Sequence, residues 1–176
     1  MTLTQERLKE LLVYDPETGL FTWKVSPAAS VKIGDTAGSL NSPRYCQIRI
    51  EGYAYLAHRL VWLYVHGNFP SAQIDHINGG KNDNRLANLR LATGRQNQAN
   101  IGVGPRNSSG FKGVCWKKQA QKWYAYGSLN GKPKHLGRFD TAEAASAAYE
   151  AFAKSYHGEF YREPAPCATL QHHEKT

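Results

Sequence analysis

Cysteine is scarce in this chain. Cys46, Cys115 and Cys167 are the whole supply, their number is odd, and no two stand in a C-x-x-C spacing. That pattern argues against a disulfide frame and a cysteine-built zinc site, and it predicts reduced thiols in a cytoplasmic protein. Long apolar runs are missing too. No stretch comes near the ~20 consecutive apolar residues of a membrane-spanning helix, so no membrane partner is expected. Met1–Glu10 lacks the apolar centre of a secretory leader. Acidic side chains are the third shortage: 14 Asp and Glu stand against 22 Lys and Arg, for a net charge of +8 and a pI of about 9.4. The imbalance favours a polyanionic partner, although a basic excess alone identifies none. With 176 residues, 41% of them hydrophobic, the chain suits one or two small domains rather than one large core.

The stretch from Ile74 to Asn100 is where the polar residues gather. Ala72–Ile74 and Leu89–Leu91 are short apolar runs bounded by turn formers, which predicts two strands of a ribbon joined by a long Gly- and Asn-rich loop. A helix is expected from about Gly94. Neighbouring residues on a strand point to opposite sides, so Asp75 and His76 divide into one ligand and one base. Hard cations such as Mg²⁺ take carboxylate and amide oxygens and keep several waters, and Asp75 with Asn97 would supply such an incomplete shell. An imidazole, with an ordinary pKa of about 6.5, can take a proton from water near neutral pH. Together these residues describe metal-assisted phosphodiester hydrolysis. An Asp-His pair alone is more often a capped turn, so the assignment needs Asn88 and Asn97 in register as well.

These residues resemble a known family. DHING at Asp75–Gly79, the N-x-x-x-N-L run from Asn84 to Leu89, and Asn97 are similar to the HNH endonuclease motif, in the phage and homing variant where Asn replaces the last His. The resemblance covers about 58–100 and includes AHRLVW at Ala57–Trp62. It implies a ββα-metal (His-Me finger) fold with His76 as general base. Asp75 and Asn97 would ligate one Mg²⁺ or Mn²⁺, and Asn88 would tie the loop to the ribbon and orient His76. Asn82, Asn84 and Arg85 match the family's N-x-N-R loop, with structural or phosphate-contact roles. His58 is open to three readings: a contact to DNA, a partner of the site, or a structural histidine, the last being favoured. His66, beside Gly67, suits a helix C-terminus.

Upstream, Thr4 caps a helix expected to reach about Val13, with Leu8, Leu11 and Leu12 on one face. Asp15–Gly19 is a turn into a strand at Leu20–Lys24, Gly34–Gly38 is another turn region, and Glu51-Gly52 joins strands at 45–50 and 53–57. A helix is expected over 58–66. The nuclease unit is therefore 1–100, with its ββα core at about 72–100. IGVGPRNSS at 101–109 reads as a linker. The segment 163–176, with His172-His173, reads as a disordered tail.

Between them, 110–162 has a different composition: nine Lys and Arg against four Asp and Glu. Phe111–Lys117, Lys122–Leu129 and Lys134–Phe139 read as three strands, with Asn130-Gly131 a hairpin signal, followed by an Ala-rich helix from Asp140 to about His157 that Gly158 ends. FKGV at Phe111–Val114, LGRF at Leu136–Phe139 and DTAEAASAAYEA at Asp140–Ala151 resemble the AP2/ERF DNA-binding domain. The resemblance implies a three-stranded antiparallel sheet packed on one helix, meeting DNA through its free face. Cys115 and Tyr126 depart from charged contact positions of that family, so its sequence preference does not carry over. Lys112, Lys117, Lys118, Lys122, Lys134 and Tyr126, with Arg85 of the first unit, are the expected DNA contacts.

The combined expectation is an α+β protein: a homing-type, metal-dependent endonuclease acting on double-stranded DNA in a host cytoplasm. A monomer or weak dimer with one such site would nick one strand. The alternative is a non-catalytic DNA-binding regulator braced by the HNH unit, and RNA binding through the aromatic-basic sheet is a weaker third reading.

Overall fold

The computed structural model describes residues 3–41, 45–104 and 106–163. Cys167 and the tail expected at its far end fall outside them, except for Glu163. The described residues form a mixed α+β structure with small antiparallel sheets and four α-helices. They separate into two compact units, Met1–Asn97 and Gln98–Thr176.

The first unit opens on α1 (Gln5–Leu11), whose Thr4 side chain accepts a hydrogen bond from the Arg7 N–H at 3.2 Å. The helix stops two residues earlier than expected. Leu12 turns extended because Leu12–Asp15 pairs as β1 with β2 (Leu20–Trp23), and Leu12, Tyr14, Phe21 and Trp23 face inward. β-Branched and aromatic residues at 13 and 14 suit a strand better than a last helical turn. Asp15 closes the connecting turn, accepting from the Glu17 N–H and the Thr18 hydroxyl. Gly19 ends it at φ 74°, where a Cβ would lie 2.4 Å from the Arg85 nitrogen.

β3 (Ser39–Asn41), β4 (Tyr45–Ile50) and β5 (Tyr53–Leu56) form a meander, in which β3 had not been foreseen. Glu51 and Gly52 both take positive φ at the β4–β5 turn, the geometry that matches strand twist in a two-residue hairpin. α2 (Ala57–His66) follows at once and lays Leu60, Val61 and Leu63 into the core beside Leu8, Phe21, Ile48 and Ile50. Gly67, left-handed, terminates it. β6 (Gln73–His76) and β7 (Leu89–Ala92) are the expected ribbon, and α3 (Gly94–Asn100) follows.

In the second unit β8 (Val114–Lys117), β9 (Lys122–Leu129) and β10 (Lys132–Phe139) make one sheet, order β10-β9-β8, with α4 (Ala142–His157) against it. β8 is shorter than expected at its start. Asn107 and Ser109, read as linker, are built into this unit: the buried Ser109 hydroxyl donates toward Val114 O at 2.9 Å, and the Asn107 amide bonds Phe111 O at 2.8 Å. The core is Val114, Ala125 and Ala145 with Trp123, Leu136 and Phe139 packed on it. Small residues let α4 lie close. A Cβ on Gly127 would come within 2.2 Å of the Phe152 ring.

Candidate active site

The ribbon pairs Asp75 with Arg90 and His76 with Leu89. The chain leaves β6 immediately after His76, in a turn closed by the Gly79 N–H on His76 O at 2.7 Å. Asp75, His76, Asn84 and Asn88 are all buried, between 2% and 7% exposed. Four polar side chains in one buried place must be held by hydrogen bonds or they would destabilise the unit.

The imidazole is held by Asn84, whose expected role is structural or a phosphate contact. His76 Nε2 lies 3.3 Å from Asn84 Oδ1. The Asn84 amide nitrogen donates to Asn82 O at 3.2 Å, so its oxygen is the atom turned to the ring. An amide oxygen only accepts, so this contact is a hydrogen bond in the tautomer that carries the imidazole proton on Nε2. Asn84 is itself positioned by Tyr14 of β1. The Tyr14 hydroxyl donates to Asn84 O and accepts from the Leu86 N–H, both at 2.9 Å. Tyr14 packs on Phe21 and Tyr64, with centroids 5.1 and 5.8 Å away. The N–x–N–R spacing was the available signal for Asn84. Nothing local pointed to Tyr14, which lies 70 residues away.

Asn88 does tie the loop, but it does not orient the imidazole. Its Oδ1 accepts from the Asn78 N–H at 2.9 Å and its Nδ2 donates to Asp83 O at 2.8 Å, so both polar ends serve the loop. The Ile77 N–H on Asn88 O completes the link to the ribbon. Asp83 is held low, at about 2, chiefly by Arg85. The Arg85 guanidinium, expected in a structural or phosphate-contact role, closes on that carboxylate at 2.8 and 2.6 Å.

Asp75 Oδ2 accepts from Arg90 Nε at 2.9 Å and lies 2.8 Å from its Nη2, with the two side chains 3% and 15% exposed. Asn97, on α3, donates its amide N–H to Gln73 Oε1 at 3.1 Å, which leaves Oδ1 without a partner among the described residues. Among those residues there is no cluster of three or more His, Cys, Asp or Glu suited to a metal. A cation here would therefore draw on one carboxylate and one amide oxygen. That hard, sparse donor set fits a divalent ion that keeps most of its waters.

Burial pushes the His76 pKa down, against a raising pull from Asn84, Asp75 and Asp83. Beside it stands His58, on the first turn of α2, in edge-to-face contact at 5.1 Å and 86°. Tyr45 tilts over both rings, 5.3 Å from His58 and 6.1 Å from His76, and Lys81 lies 4.9 Å over Tyr45. Burial first, then His76 and Arg59, bring His58 down to about 4, so it is neutral at ordinary pH.

In the second unit, register decides which cations share a face. Tyr124 and Tyr126 of β9 stack at 6.0 Å, and His135 of β10 meets them at 5.2 and 5.3 Å. Opposite partners place Cys115, Lys117, Lys122, His135 and Arg138 on this same open face, away from α4. Lys118 follows in the turn, exposed. Lys122 is ion-paired with Asp140. Two expected contacts are not brought here. Lys134 pairs across from Gly127 on the helix side, its ammonium 5.5 Å from the Phe152 ring. Lys112 turns inward onto Ala99 O, and burial followed by Arg162 lowers it to about 8. His135, which the sequence reading did not single out, takes a place on the open face.

Residues 55–99 match the model of the HNH endonuclease family. Protein 3.8 of Escherichia phage T7 is 33% identical over 106 residues, 60% of this chain and 87% of the relative. An uncharacterized HNH endonuclease of Acanthamoeba polyphaga mimivirus is 35% identical over 105 residues, 58% of this chain; the chain spans about half the length of that relative, 54%. A solved structure concerned with DNA binding and cleavage by the HNH homing endonuclease I-HmuI aligns over 77% of this chain and 75% of its own, at 21% identity and a TM-score of 0.39.

Proposed function

Because this chain belongs to the HNH endonuclease family, we propose that it is a divalent-metal-dependent DNA endonuclease with His76 as general base. The observation that carries the proposal is the buried imidazole at the end of β6. Asn84 Oδ1 faces its Nε2, and the carboxylate of Asp75 immediately precedes it on the ribbon. Such an imidazole can take a proton from water at Nδ1 as the water oxygen attacks phosphorus. The bond to the 3′ oxygen breaks, leaving 5′-phosphate and 3′-hydroxyl ends. Asp75 and Asn97 would hold one Mg²⁺ or Mn²⁺, which when bound supplies Lewis-acid stabilisation of the phosphate charge. Asn88 and Asp83 keep the loop closed under the imidazole.

The second unit, read as AP2-like, grips duplex DNA through the open face of its sheet, with Lys117, Lys118, Arg138 and Tyr126 as contacts. A gripping module beside a small cutter raises the cutter's local concentration on its target. The enzyme is read as phage-encoded and homing-type, working in a host cytoplasm; that two relatives are viral supports the first of these. One site per chain means a monomer nicks a single strand. Among the described residues no helix is long and apolar enough to cross a membrane.

The regulator reading has one observation in its favour: the Asp75 carboxylate is already neutralised by Arg90. Supercoiled plasmid separates the two. Relaxed product that requires Mg²⁺ or Mn²⁺, disappears with EDTA and is absent with His76→Ala establishes the nuclease. Cleavage undiminished in His76→Ala overturns the assignment of the base, and intact plasmid under every metal leaves the regulator.

A further inference from the structure

Arg59 differs from the other arginines around this site. Arg85 is closed on Asp83 and Arg90 on Asp75. Arg59 has neither hydrogen bond nor ion pair among the described residues, yet it is not loose. Its guanidinium lies 5.6 Å over the Phe69 ring, and Phe69 stacks on Tyr55 at 6.0 Å and 8°. An arginine resting over an aromatic ring keeps its N–H donors for a ligand and loses less side-chain entropy on binding one. Arg59 borders an open groove of about 510 Å³, lined also by Ser71, Gln73, Thr93 and Gly94. The Ser71 hydroxyl, the Gln73 amide nitrogen and the unpaired Arg59 cation match a phosphodiester oxygen in chemistry, while the Thr93 hydroxyl is turned to Gln96 Oε1. Gln73 is shared with the proposed metal site, since its Oε1 holds the Asn97 amide.

We infer that the groove at Arg59 is a phosphate subsite, which seats a DNA backbone phosphate flanking the one that is cut. The inference rests on the nuclease reading for its substrate. Its test reads binding rather than cleavage, so the two can fail separately.

The full-length chain carrying His76→Ala is treated with phenylglyoxal, with and without a mixed-sequence duplex, and modification of each arginine is followed by peptide mass spectrometry. Arg49, on β4 and outside the groove, is the internal reference. DNA is expected to slow modification of Arg59 several-fold relative to Arg49. In the same background Arg59→Gln should weaken duplex binding about tenfold and lower the slope of log K against log salt by about one, and Arg59→Lys should restore the slope. If Arg59→Gln unfolds early, Phe69→Leu serves instead. It keeps the charge and should give a smaller loss of affinity with an unchanged slope. Equal modification of Arg59 with and without DNA, or a Gln variant that binds with unaltered affinity and slope, overturns the subsite. Plasmid left intact by the unmutated chain under every metal would overturn the nuclease reading and leave these binding results standing.

Discussion

The loop under His76 and the open sheet face of the second unit use polar side chains in opposite ways. In the first, Asn78, Asp83, Asn84 and Asn88 bond one another and the backbone, and the buried members are nearly dry. In the second, Tyr124, Tyr126, His135 and Lys117 lie side by side on a surface that solvent reaches. A buried network fixes one geometry because each unmet group costs about 1–3 kcal/mol. An open face fixes little, and its residues remain available to a partner. Changes in the loop should therefore damage chemistry or stability, and changes on the face should damage binding alone.

The largest expected effect is His76→Ala, which should lower the rate of plasmid nicking by about 10²–10⁴ while duplex affinity stays within a factor of about two. Equal losses in both would erase the distinction between chemistry and grip.

Acid comes next. The unfolded chain binds a proton at His58 with ordinary affinity, near 6.5, and the folded chain only near 4. Between those values the unfolded state holds more protons, so stability falls as the pH drops through that window and levels off below it. The loss is on the order of 3 kcal/mol. Urea unfolding at several pH values should show it, and His58→Phe, which keeps a ring against His76, should flatten the curve.

Asn84→Ala should slow nicking about tenfold to a hundredfold, roughly 1.4–3 kcal/mol, without changing duplex affinity, because the imidazole loses the acceptor that assigns its proton. ¹⁵N chemical shifts of the His76 ring would show a mixture of tautomers in place of one.

On the open face, Tyr124→Ala should weaken duplex binding several-fold, about 1 kcal/mol, and Lys117→Ala should lower the salt slope by about one, both with unchanged cleavage rate on saturating DNA. Smallest of all, Arg7→Ala removes exposed ion pairs to Glu10 and Glu51 and should change stability by less than about 1 kcal/mol.

The same contrast explains what could be read from the chain. The ribbon, its turn and the hairpins at Glu51-Gly52 and Asn130-Gly131 were legible because backbone preference and short-range pattern specify them. The role of Asn84 was not, since it depends on which amide end meets the ring, and that is settled by Asn82 O and by Tyr14 from a distant strand. The face of Lys134 was hidden for a related reason. The sheet slips register between His135 and Gly137, so alternation counted from Phe139 puts Lys134 on the wrong side. Lys112 looked like one more surface cation until a carbonyl claimed it.

The turn at Asp15–Gly19 sits against the backbone at Asn84 and Arg85, closely enough that even a methyl group on Gly19 would collide there. The folded unit that holds the proposed site is therefore larger than the span, 55–99, that matches the family model. A fragment cut to 55–99 would retain every residue proposed for chemistry and lose Tyr14 and the turn at Gly19, the two supports that the loop backbone at 84–86 takes from the N-terminal hairpin.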